Sequence, residues 1–88
     1  MKIWKYTLEE PVNNFRMPQG ARVLSAAARN SDVCIWVLAD PDQELVERRI
    51  LAAPTGARLP TDVCTAIFIG TVMHPSGLVW HIFDGGEK

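Results

Sequence analysis

The N-terminal segment KIWKYTL, residues 2–8, alternates: Trp4, Tyr6 and Leu8 fall on one side, Ile3, Lys5 and Thr7 on the other. A period of two predicts a half-buried β-strand. A loop with Pro11, Asn13 and Asn14 follows, then a short strand over Phe15–Met17 that Pro18-Gln19-Gly20 stops. Residues 21–29, ARVLSAAAR, predict the next strand, and Asn30-Ser31 a two-residue turn. Residues 33–39, VCIWVLA, are apolar on both faces, as in a strand covered on both sides. Asp40-Pro41 ends that run. Residues 41–45 read as a turn or one helical turn, and 46–52 as a strand in which Val46, Arg48 and Ile50 alternate. After the loop APTGARLPTD, residues 65–73 and 78–83 form a hairpin around Pro-Ser-Gly, and residues 85–88 are expected to be a disordered tail.

The pattern predicts an all-β fold, a small barrel or compact sandwich of six to seven short antiparallel strands in meander-like order. Residues 1–84 form one domain. Pairing Met73 with Leu78 in the last hairpin places Thr71 opposite Trp80, Val72 opposite Val79 and Phe68 opposite Phe83. Gly70 then faces His81, and a valine there is expected to overpack.

A chain of 88 residues buries only about 60% of its unfolded surface. Strands apolar on both faces in so short a chain predict a homo-oligomer. Nine basic and ten acidic residues give a net charge of −1, which argues against a nucleic-acid binder relying on bulk charge. No apolar run is long enough to span a membrane, and the N-terminus has no secretory h-region. Cys34 and Cys64 lie in apolar runs and are expected to be buried free thiols. Phosphate loops, HExxH and GxSxG are absent, and neither thiol has an electropositive neighbourhood, so no enzyme is expected. The spacing of Cys and His does not suit zinc, and neither metal nor cofactor is expected.

Binding is what remains. Six of the nine cations are Arg, the residue suited to bidentate capture of phosphate or carboxylate. Arg48 and Arg49 point to opposite faces of their strand, so one of them could join Arg58 in the loop APTGARLP. Thr55 and Gly56 would let backbone N–H groups approach an anion there. Trp36, set across from Ser25 by the Asn30-Ser31 turn, either fills a core gap or floors a pocket. The bland alternatives are a rigid connector, solvated arginines and a core tryptophan.

Five stretches carry a resemblance: MKIWKYTL, FRMPQGARVLSA, IWVLADPD, TGARLP and FIGTVMHPSGLVWHIFD. Together they resemble a family of small uncharacterised bacteriophage and prophage proteins with an IWKY-type first strand, an MPxGAxxL turn and an IGT…LVWHxF close. The resemblance covers nearly the whole chain. It implies a phage accessory protein in the host cytoplasm. The leading expectation is an anti-defence role, sequestering a small anionic nucleotide-type immune signal. A protein-binding inhibitor of a bacterial defence complex, of the anti-CRISPR or anti-restriction type, is the first alternative. A structural or regulatory phage protein without a small ligand is the second.

Overall fold

The computed structural model describes residues 1–59 and 61–88, apart from the side chains of residues 61 and 62. Pro60, the second proline of the APTGARLP loop, lies outside the described residues. Seven strands follow in chain order: β1 (Lys2–Leu8), β2 (Val12–Pro18), β3 (Arg22–Arg29), β4 (Asp32–Ala39), β5 (Leu45–Pro54), β6 (Ile67–Met73) and β7 (Val79–Glu87). A short 3-10 helix, Thr61–Thr65, precedes β6. The strands form two antiparallel sheets, β1-β4-β3 and β2-β5-β7-β6. The fold is thus a sandwich and not a closed barrel. Alternation along each strand sends Leu8, Val33, Ile35 and Val37 from one sheet against Met17, Ile50, Val72 and Ile82 from the other.

Only β3–β4 and β6–β7 are both consecutive and adjacent, so the order is less meander-like than expected. The chain changes sheet between β1 and β2, between β2 and β3, and between β4 and β5. Asn13 shapes the first crossing. Its Oδ1 accepts the N–H groups of Glu9 (3.1 Å) and Glu10 (3.3 Å), and its Nδ2 donates to the Glu10 carbonyl at 2.6 Å. Buried amides need such partners. Asn13 therefore sits inside β2, which is longer than the strand expected from Phe15–Met17.

The β3–β4 hairpin has the expected Asn30-Ser31 turn, with Asn30 at φ 57°, and Trp36 lies opposite Ser25. The β6–β7 hairpin differs from expectation. His74 N–H donates to the Leu78 carbonyl, Gly77 N–H donates to His74 O, each at 2.9 Å, and Gly77 has φ 94°. This is a three-residue loop, a turn closed by a left-handed glycine. It moves the register by one, so Thr71 faces His81, Val72 faces Trp80 and Met73 faces Val79. A bulge between Phe68 and Gly70 restores the Phe68–Phe83 pair and places Gly70 opposite Ile82. A Cβ on Gly70 would meet nothing within 4 Å, so Gly70 does not make room for His81.

The expected disordered tail is also overturned: β7 continues to Glu87. Gly85 is an extra residue in the β5–β7 ladder, beside Arg49. A Cβ there would lie 3.0 Å from the Arg49 carbonyl oxygen, and Gly86 has φ 87°, so the Gly-Gly pair builds a bulge where a flexible linker was expected. Beyond it, the Glu87 carboxylate accepts Gly20 N–H, and Lys88 N–H donates to Glu47 O at 3.0 Å.

Candidate functional site

Arg48 shares the inward face of β5 with Ile50 and Ala52, and Asp84 shares the inward face of β7 with Ile82. The two meet at one end of the interior. Arg48 Nε donates to Asp84 Oδ1 at 2.8 Å and its second terminal nitrogen to Oδ2 at 2.6 Å. Its first terminal nitrogen donates to the Ala21 carbonyl at 2.8 Å. Arg48 is 9% exposed and Asp84 6%. Burial pushes the Asp84 carboxyl up. The Arg48 hydrogen bonds, the Gly86 N–H and the Arg48 charge outweigh it and hold the group below its ordinary value. The hydrogen bond to Asp84 raises Arg48, with burial opposing. Arg48 is therefore a buried clasp, not the ligand contact expected from the sequence.

The other expected binding residues divide between the two outer faces. Arg49 lies on the outer face of β5, opposite Asn14. Thr55, Gly56 and Arg58 stay together on the exposed loop after β5. Two of that loop's N–H groups are already engaged, Thr55 with Val79 O at 3.0 Å and Ala57 with Pro54 O at 3.1 Å. The Thr55 hydroxyl contacts His81 Nε2 at 2.7 Å, and Thr71 Oγ1 lies 3.1 Å from Nδ1. The imidazole is thus held between two threonines, not across a glycine. Arg58 borders a groove of about 220 Å³ whose walls include Val12, Leu51, Ala53 and Leu59. The loop covers part of this face, which leaves Leu51 3% and Ala53 5% exposed. Trp36 stands half-buried on the outer face of the other sheet, between Lys5 and Ser25. The six residues do not form one site.

A cavity that the sequence did not reveal lies at the opposite end of the interior from Arg48. It has a volume of about 200 Å³. Leu8 and Val33 from one sheet and Ala52 and Trp80 from the other form its walls. Glu9, Glu10 and Asp32 are exposed on its rim, with His74 beside them. His74 Nε2 is 2.7 Å from the Ser31 carbonyl, which only accepts, so Nε2 carries the proton. Nδ1 accepts the Ser76 N–H at 3.0 Å. The imidazole ties the β6–β7 loop to the β3–β4 turn. Glu9-Glu10, Asp32 and His74 belong to the β1–β2 link, the start of β4 and the β6–β7 loop, which only the topology brings together.

Cys34 is buried and free, 3.7 Å from the Thr7 hydroxyl, whereas Cys64 is exposed, contrary to expectation. It belongs to the 3-10 helix and not to a strand interior. Among the described residues, no three His, Cys, Asp or Glu side chains are grouped to hold a metal ion. Nor, among those residues, is any helix long and apolar enough to cross a membrane.

The model of a domain of unknown function, DUF7352, matches residues 1–88. The chain belongs to the DUF7352 family. No curated protein and no solved structure matches it. Both the Arg48–Asp84 clasp and the end cavity lie inside the DUF7352 region.

Proposed function

We propose that this DUF7352 protein is a non-catalytic accessory protein of a bacteriophage or prophage that acts in the host cytoplasm by binding protein surfaces, and that it works as a symmetric oligomer. One observation supports the surface-binding and assembly parts of this reading. β6, an outer strand of the four-stranded sheet, reads IFIGTVM and has no charged residue. Ile67, Phe68 and Met73 on it are 67, 55 and 71% exposed. Edge strands that stay single are usually guarded by Lys, Pro or an inward charge. The bulge beside Ile69 twists this edge but brings no charge to it. β3 lies close along β6, so what this strand offers a partner is its exposed apolar side chains, and such a patch marks a protein-binding surface. A second copy offering the same patch is the simplest partner, because it closes a two-fold pair.

Sedimentation at micromolar concentration tests this, with Ile67→Lys as the comparison. The parent is expected to sediment as a dimer or larger and the variant as a monomer. A monomeric parent that also retains no host protein would remove the reading.

The nucleotide-sequestering reading has one observation in its favour: Arg58 stands at the mouth of the apolar groove beside Gly56. In that reading Arg58, Arg49, Thr55 and Gly56 would hold phosphate, without Arg48 or Trp36. Calorimetry against cyclic di- and trinucleotides and ADP-ribose isomers is expected to give stoichiometric uptake if it holds. Absence of heat across the panel would rule it out.

A further inference from the structure

We infer that the cavity at the open end of the sandwich binds a small organic cation, an ammonium group carried on an apolar body of about the size of one aromatic ring. The site is a gap between the two sheets, so its walls come from both. Leu8 and Val33 line one side, Ala52 and Trp80 the other. An apolar body entering here is covered on two faces by core residues, which gives the hydrophobic part of the binding. Small-ligand sites are concave and mostly apolar, with a few polar groups that fix orientation.

The rim decides the charge. Among the described residues, Glu9, Glu10 and Asp32 line the cavity and no Lys or Arg does, Arg29 being the cross-strand partner of Asp32 outside the lining. An anion seated here would face three carboxylates. A cation would gain them, and an indole wall adds attraction for a positive group held over its face. Both ring nitrogens of His74 are engaged with backbone, Nε2 with the Ser31 carbonyl and Nδ1 with the Ser76 N–H.

The rim is also set in advance. Asn13 fixes the backbone of Glu9 and Glu10 from inside the fold, and His74 fixes the carbonyl of Ser31 next to Asp32. The backbone that carries the carboxylates therefore needs no further ordering on binding.

The test uses three probes of one shape: phenethylamine, the neutral 2-phenylethanol and the anionic phenylacetate. Heteronuclear NMR follows the Trp80 indole N–H and the Leu8 and Val33 methyls, with the Trp36 indole as an internal control on the far face. The amine is expected to shift the three cavity signals saturably and leave Trp36 still. The alcohol should bind more weakly and the acid not at all. The double variant Glu10→Gln with Asp32→Asn should weaken the amine roughly tenfold and leave the alcohol unchanged. Equal shifts from phenylacetate, no shift from the amine, or equal movement at Trp36 would overturn the assignment. Repeating the titration on Ile67→Lys separates it from the assembly reading: the cavity signals should respond identically whatever the oligomeric state.

Discussion

The two ends of the sandwich interior handle polar groups in opposite ways. At one end Arg48 and Asp84 satisfy each other, and the Ala21 carbonyl takes a further donor, so the end is closed. At the other, Asn13 and His74 turn inward to the backbone, while Glu9, Glu10 and Asp32 are left facing outward around a gap. The first arrangement supports the fold and offers nothing to a ligand. The second costs the fold little and leaves charge for something else. A charged residue at a core-side position is thus a poor guide to binding; carboxylates gathered around a gap are a better one.

The sharpest way to break the contrast is Asp84→Ala. It leaves the Arg48 guanidinium buried without its carboxylate, and a loss of about 3–5 kcal/mol is expected in urea unfolding. Replacing both partners by Met and Leu should recover much of that loss, because removing both charges also removes their desolvation.

Acid should open the closed end next. The Asp84 carboxyl titrates below its ordinary value in the folded protein. The unfolded chain therefore takes up that proton first as pH falls. The pair's contribution is complete above the unfolded value of about 3.9 and is lost as pH falls through the lower folded one. Thermal melts of the parent should decline steeply on the acid side of pH 4, and the Met/Leu double variant should decline less. Equal slopes would remove Asp84 as the cause.

A smaller loss is expected at the open end. Asn13→Ala leaves the Glu9 and Glu10 N–H groups and the Glu10 carbonyl without their buried partner, a cost of roughly 1–3 kcal/mol. The same variant should blur the amine response at Trp80, because it frees the rim. The smallest effect lies midway along β6. Gly70→Val enters open space opposite Ile82 and improves strand propensity, so stability should stay within about 0.5 kcal/mol of the parent. A large loss there would mean that the β6 register differs from the one described.

Much of the fold was legible because strand alternation is local. The β1 faces, the Asn30-Ser31 turn and the Trp36–Ser25 pairing all follow from short-range pattern. The β6–β7 register did not, because two one-residue irregularities act on it. The left-handed Gly77 shifts it and the bulge at Ile69 shifts it back, so the Phe68–Phe83 pair agreed while most of its neighbours did not. The Arg48–Asp84 clasp joins residues 36 apart in the chain and needed both strands in place before it could be seen. A signal was present all the same: Asp84 continues the inward parity of Ile82, and a carboxylate in that position requires a partner. The cavity left no such trace, since its rim comes from three parts of the chain that share nothing in the sequence.

The position of β7 has a kinetic consequence. It runs through the middle of the larger sheet, flanked by β5 and β6, yet it is made after both. A nascent chain ending before residue 79 holds a complete three-stranded sheet with nothing central to pack against, a β2–β5 ribbon and an isolated β6. Consolidation must wait for pairings between distant segments, such as Arg48 with Glu87. Folding in milliseconds to seconds, with one dominant phase that begins once β7 is available, is the behaviour such long-range pairing imposes.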